Sequence, residues 1–132
     1  MNDLKKIIRS IRIALKGLCH AYVSEKSFRM EINYGFPLYI IAGWYLAPLS
    51  IWEFLIFTFS YLLILIVELV NTAFEKMLDR LHPEKHELIE KSKDIASAAV
   101  FVALVFAVIV VAALVYVRFS YGTDAMIERV FV

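Results

Sequence analysis

The chain has 132 residues, of which 61% are hydrophobic, and its mean hydropathy is +0.72. This length predicts one domain, residues 1–132, and the hydropathy favours a membrane protein over a soluble helical bundle. The formal net charge of +1 by itself says little about partners, and no nucleic-acid partner is expected. The single cysteine, Cys19, excludes an intrachain disulfide.

The first predicted element is an amphipathic helix over residues 4–20. Apolar side chains recur on one face of this segment, and basic residues crowd the other face: Lys5, Lys6, Arg9, Arg12 and Lys16. A short basic amphipathic helix of this kind lies well on an anionic membrane surface. We therefore expect a surface helix here rather than a membrane-spanning one.

Three transmembrane helices are predicted after the surface helix. They cover residues 29–46, 50–80 and 94–118, and a tail follows over 119–132. Pro37 is expected to bend the first of them, and Gly122 to end the last. The last is the clearest, because residues 95–117 carry no charge over 23 positions, which is enough to cross roughly 30 Å of hydrocarbon. The predicted fold is therefore an all-α membrane protein.

The distribution of lysine and arginine predicts how the chain is oriented. Residues 1–29 and 76–93 hold 12 of the 14 basic residues, and the link at residues 47–53 holds none. Loops rich in lysine and arginine stay on the cytoplasmic side of a membrane. We therefore expect the N-terminus to be cytoplasmic and the C-terminus to lie outside.

An acidic stripe follows directly from the apolar part of the second transmembrane segment. Asn71, Glu75 and Asp79 lie three, seven and eleven residues after Glu68, so all four share one side of a helix. At 1.5 Å per residue, Glu68 reaches the cytoplasmic edge of the hydrocarbon. Placing a carboxylate there costs free energy, so it needs an ion-pair partner, a bound cation or a functional role.

Other segments bring carboxylates to the same boundary, namely Glu25, Glu31 and Asp94. Such an array could act as a general base on a lipid alcohol, or hold a hard divalent cation through oxygen ligands. The alternatives are a structural Glu68, hydrogen-bonded between helices, and an Asp94 that caps a helix. The residues alone predict an interfacial carboxylate site, and they do not specify a nucleotide.

Three stretches together resemble the prokaryotic integral-membrane diacylglycerol kinase family. They are E-x-x-N-x-x-x-E at residues 68–75, K-D-x-x-S-A-A-V at residues 93–100, and Phe28-Arg29 with Glu31. The resemblance covers about residues 4–117. It implies a homotrimer in the bacterial inner membrane that transfers the γ-phosphoryl group of MgATP to 1,2-diacylglycerol and forms phosphatidic acid.

The resemblance also implies roles for individual residues. Glu68 matches the general base, and Glu25 and Glu75 match the magnesium ligands. The remaining positions around the nucleotide are Asn71, Glu84, His86, Lys93 and Asp94, and Lys85 adds positive charge for a phosphate. The positions around the lipid, or supporting the site, are Arg29, Glu31, Trp44, Glu68 and Ser97.

Three other functions compete with this reading. Undecaprenol kinase, a sister enzyme with the same chemistry on a polyprenol, tends to have alanine where this chain has Ser97. A cation-conducting oligomer predicts acidic residues at mid-membrane depth, whereas here they gather at one face. A non-enzymatic assembly subunit gives no reason for an acidic stripe beside a basic loop.

Overall fold

The computed structural model describes residues 2–131, with side chains up to Gly122, and each regular element in that range is helical. The elements are α1 (Asp3–Ser24), α2 (Lys26–Met30), a π-helical turn (Glu31–Gly35), α3 (Phe36–Leu46), α4 (Ile51–Leu81) and α5 (Glu87–Phe131). The predicted all-α class is confirmed.

Helices α4 and α5 form a hairpin, and each has a stretch long and apolar enough to cross a membrane. Only 28% and 22% of the residues in these two stretches are buried in the single chain, unlike those of a core helix in a soluble protein. At one end of the hairpin, the helices pack through an apolar cluster of Leu46, Phe57, Val110 and Leu114. The exposed apolar faces therefore suit a lipid environment.

The segment predicted as a transmembrane helix over residues 29–46 is helical from Lys26 to Leu46, but in three pieces. In the π-helical turn, the Phe36 N–H donates to the Glu31 carbonyl five residues back. Pro37, which has no backbone N–H, follows in the first turn of α3. The irregularity expected at Pro37 is therefore a widened turn just before it.

Helix α1 ends at a sharp corner. It extends to Ser24, beyond the predicted end near residue 20, and Glu25 then takes an extended backbone conformation (φ −112°, ψ 118°). The Arg29 guanidinium donates to the carbonyls of Tyr22 and Val23 at 3.1 and 3.0 Å, so it satisfies carbonyls at the end of α1. The corner places Glu25 directly ahead of α2.

Helix α5 is longer than predicted at both ends. It begins at Glu87 rather than residue 94, and it continues through Gly122, the predicted end, to Phe131. Helix-forming residues favour the added first turns, and the exposed 2.6 Å ion pair between Glu87 and Lys91 adds little. A single glycine costs about 1 kcal/mol relative to alanine and does not end a helix by itself. The predicted tail is therefore part of α5, except for Val132, which lies outside the described residues.

A polar clamp ties the α3–α4 link to α5. Ser50 and Glu53 form a capping box at the start of α4, with bonds of 2.7 and 3.3 Å. Arg118 of α5 donates to the carbonyls of Leu46 and Pro48 and pairs with Glu53 at 3.2 Å. This clamp lies at the end of the hairpin opposite to the α4–α5 loop.

We predict that Arg118→Met lowers the midpoint of thermal unfolding in detergent by roughly 5 °C, because two carbonyls and a carboxylate lose their donor. Circular dichroism at 222 nm measures the transition. Lys91→Met is the matched control, since its ion pair is exposed and worth little. Equal midpoints for the two variants would contradict a stabilising clamp.

Candidate functional site

Three helices meet around a cleft of about 180 Å³. Residues just before and within α2 form one wall, the stripe on α4 forms the second, and the apolar part of α5 forms the third. The lining residues are Glu25, Ser27, Glu68, Asn71, Thr72, Glu75, Ser97 and Val100. Five of the predicted site residues, from three separate segments, therefore share one cleft.

Glu68 is the most buried carboxylate of the cleft, at 6% exposed. It makes no hydrogen bond or ion pair with any residue whose side chain the structure describes. The nearby charges that act on it are all negative and belong to Glu31, Glu75 and Glu25, of which Glu31 is the strongest. In the described chain, Glu68 is therefore not hydrogen-bonded between helices, so that alternative is wrong there. Its carboxylate lines the cleft without a partner.

Asn71 and Glu75 lie on the same side of α4 as Glu68. The Asn71 side-chain N–H donates to Glu75 Oε1 at 3.3 Å. Asn71 Oδ1 is buried and has no hydrogen-bond partner in the described chain. An unsatisfied buried acceptor costs roughly 1–3 kcal/mol, and this oxygen is free to accept a hydrogen bond or to bind a cation.

Glu25 reaches the cleft from the corner between α1 and α2. Its Oε1 lies 2.7 Å from Lys76 Nζ, which belongs to α4 and follows Glu75 directly. This ion pair joins the amino-terminal segment to the carboxyl-terminal part of the stripe on α4. Lys76 was not among the predicted site residues, because nothing in the local sequence pairs it with a residue so far away.

Magnesium fits the oxygen atoms of this cleft. The described residues contain no group of three or more His, Cys, Asp or Glu side chains that would make a metal centre by themselves. Mg²⁺ is commonly bound by one or two carboxylates together with phosphates and waters, so a full protein cage is not required. Glu25, Glu75 and the unpaired Asn71 Oδ1 supply that kind of partial set.

Two predicted nucleotide residues border the cleft without lining it. Lys93 of α5 forms an ion pair with Asp79, the last residue of the acidic stripe. Asp94 is exposed beside it. Asp94 lies inside α5 rather than at its N-terminus, so the alternative that it caps the helix is wrong. The Lys93–Asp79 pair links α4 and α5 near the loop that connects them.

The other predicted nucleotide residues lie in the α4–α5 loop. Glu84, Lys85 and His86 are exposed and line a separate depression of about 460 Å³. His86 Nδ1 accepts the Leu88 N–H at 3.2 Å, which fixes the entry into α5. The structure of the single chain does not bring these three residues into the cleft.

The predicted lipid residues divide into three groups. Ser97 lines the cleft, and Glu31 lies near Glu68. Arg29 binds the end of α1 and lies outside the cleft. Trp44 is 82% exposed. Its neighbour Gly43 packs on Phe57, which lies eleven residues, or about 16 Å, before Glu68 on α4, so Trp44 is distant from Glu68. The single chain therefore does not place Arg29 or Trp44 beside Glu68.

Comparisons with known proteins identify the family of this chain. Residues 12–115 match the model of the family described as prokaryotic diacylglycerol kinase. The diacylglycerol kinase of Escherichia coli K12 is 37% identical over 115 residues, which cover 87% of this chain and 93% of that protein. Those of Haemophilus influenzae and Pseudomonas aeruginosa are each 38% identical over 101 residues, or 76% of this chain and 84% and 80% of theirs.

Two membrane-capable helices that carry a cleft of carboxylates and one unpaired amide oxygen are the arrangement expected of a membrane-embedded enzyme. The sequence comparisons then make the assignment specific. The chain belongs to the prokaryotic diacylglycerol kinase family, and it is a lipid kinase located in a membrane.

Proposed function

We propose that this enzyme transfers the γ-phosphoryl group of ATP to 1,2-diacylglycerol and forms phosphatidic acid at the cytoplasmic face of the bacterial inner membrane. The observation that carries the proposal is the cleft itself. It unites a buried, unpaired Glu68 with Glu25, Glu75 and the free oxygen of Asn71 at one end of two apolar helices. A lipid alcohol and a soluble nucleotide can meet only at such a boundary.

Glu68 acts as the general base in this proposal. Its carboxylate accepts the proton of the lipid hydroxyl while the hydroxyl oxygen attacks the γ-phosphorus and ADP leaves. A carboxylate free of ion pairs in the described chain is available to take that proton. Because phosphoryl transfer depends mainly on positioning and charge neutralisation, the other residues serve chiefly to place the two substrates.

Glu25, Glu75 and Asn71 would hold Mg²⁺ through oxygen atoms, and the ion would neutralise charge on the phosphates of ATP. Lys76 lies beside this set and already pairs with Glu25. The Lys93–Asp79 pair and the exposed loop with Glu84, Lys85 and His86 are the adjacent groups that could contact the rest of the nucleotide. Arg29, Asp94 and Trp44 stay predictions.

We further propose three transmembrane helices, a cytoplasmic N-terminus and a homotrimer. The continuous helical run from Lys26 to Leu46 supports a third crossing, because about 20 residues at 1.5 Å each span the hydrocarbon. The exposed apolar faces of α3 and α5 leave surface for other copies of the chain or for lipid. Light scattering of the purified protein in detergent measures the number of chains per particle.

The experiment that tests the proposed reaction supplies the purified protein with radiolabelled MgATP and a single lipid in mixed micelles. We expect label in phosphatidic acid when 1,2-diacylglycerol is present. Undecaprenol is the comparison lipid, because the alternative enzyme uses the same chemistry on it. Ser97 lines the cleft, so it can contribute to this choice of lipid.

The outcome decides between the two lipids. Turnover with diacylglycerol at least tenfold above that with undecaprenol supports the proposal. The opposite preference would replace diacylglycerol with a polyprenol and leave the kinase assignment in place. Cation flux across liposomes without ATP, and no labelled lipid of either kind, would contradict a kinase function altogether.

A further inference from the structure

One buried tyrosine continues the stripe of α4 deeper into the membrane. Tyr61 lies seven residues before Glu68 on the same side of the helix, and it is 9% exposed. Its hydroxyl donates to the Glu31 backbone carbonyl at 3.0 Å. The same carbonyl accepts the Phe36 N–H that closes the π-helical turn. Tyr61 therefore binds the π-helical turn at Glu31, whose side chain lies near Glu68.

Gly35 completes this arrangement from the other side of the turn. A Cβ atom at position 35 would lie 2.9 Å from Glu31 Oε2 and 3.5 Å from the Tyr61 ring. The first distance is shorter than real Cβ contacts allow, so a side chain at position 35 would displace the end of Glu31. The Glu31 carboxylate therefore lies over Gly35, close to Tyr61, and its negative charge acts on Glu68.

The order of contacts along α4 shows on which side of the site Glu31 lies. Glu25 meets Lys76, whereas Glu31 meets Tyr61, so the α2 segment runs against α4 and Glu31 lies on the apolar side of the cleft. π-helical turns within α-helices are frequent at functional sites. We propose that Tyr61 and Gly35 are positioning residues, which together hold the Glu31 carboxylate on the lipid-facing side of the site.

This inference rests on the proposed function, and it concerns the lipid substrate alone. Tyr61→Phe removes one hydrogen bond while it keeps the ring. We expect the KM for diacylglycerol to rise about fivefold, with the KM for ATP unchanged. Tyr39→Phe is a matched control, because Tyr39 stacks on Tyr61 at 5.0 Å and bonds Thr58 at 2.7 Å without any bond to Glu31. A general loss of packing would affect both variants alike.

A double-mutant cycle tests the role of Gly35. Gly35→Ala should raise the KM for diacylglycerol in the full-length enzyme by displacing the Glu31 carboxylate. In a Glu31→Ala background, the same change should have no further effect, because no carboxylate remains to be displaced. Additive effects would show that Gly35 supports the helix and does not position Glu31.

The possible outcomes distinguish a failure of the positioning role from a failure of the proposed reaction. An enzyme that phosphorylates diacylglycerol normally, and whose Tyr61→Phe variant keeps the KM for that lipid, overturns the positioning role and leaves the reaction intact. Equal increases for Tyr61→Phe and Tyr39→Phe overturn it as well. Wild-type protein that phosphorylates no lipid removes the proposed reaction and this inference together.

Discussion

Glu68→Gln should lower kcat for lipid phosphorylation by about 10²- to 10⁴-fold, the range that a general base contributes. The substitution keeps the shape of the side chain and removes its capacity to accept a proton. Since Glu68 makes no ion pair or hydrogen bond with described side chains, the change leaves no broken partner behind. We therefore expect the fold and the oligomer to persist while turnover is lost.

Steady-state kinetics with saturating MgATP and diacylglycerol measure this loss. Glu90→Gln is the control, because Glu90 is an exposed carboxylate on α5 that lies outside the cleft. Gel filtration and circular dichroism of both variants establish that they are folded. Glu68→Gln protein that keeps more than about a tenth of wild-type kcat would remove Glu68 from the role of base.

The second large effect is expected at Glu75. Glu75→Gln removes one negative oxygen from the set with Glu25 and Asn71, and it turns a carboxylate into a weaker amide ligand. The magnesium concentration for half-maximal rate should rise at least about tenfold, and the KM for ATP should rise with it. The KM for diacylglycerol should stay the same, because Glu75 lies on the aqueous side of Glu68.

A magnesium titration at fixed ATP measures this shift. The titration of Glu53→Gln provides the reference, since Glu53 is a carboxylate of the same helix that belongs to the clamp with Arg118. An unchanged magnesium midpoint for Glu75→Gln would contradict the metal role. A rise of the lipid KM alone would assign Glu75 to the lipid instead.

The acidic stripe was predictable because it depends on the period of one helix. Glu68, Asn71 and Glu75 share a face in any regular α-helix, and α4 is regular from Ile51 to Leu81. The start of α4 was also readable from the sequence, since Ser50 and Glu53 form the S-x-x-E pattern of a capping box. Local spacing is sufficient for features of this kind.

The π-helical turn could not be predicted in the same way. Residues 31–35 contain nothing that distinguishes a bond over five residues from one over four. The turn is stabilised by Tyr61, which lies 30 positions further along the chain. The Glu25–Lys76 pair has the same origin, because both partners are ordinary charged residues until the fold brings them together.

The helix ends differ for another reason. Hydropathy predicts that the last helix starts at residue 94, where the charges stop. Helix α5 follows backbone preference instead and begins at Glu87, because glutamate, leucine and lysine are good helix formers in water as well as in a membrane. Hydropathy marks where a helix enters the bilayer, and it does not mark where the helix begins.

We expect the cleft to open to the cytoplasm at the membrane boundary and to receive the nucleotide there. Labelling of Ser27→Cys in a Cys19→Ser background tests it most directly, because Ser27 is exposed and lines the cleft. In sealed vesicles of known orientation, an impermeant maleimide should react only from the cytoplasmic side, and MgATP should slow the reaction. Labelling from the opposite side, or labelling at the same rate with MgATP present, would contradict the account.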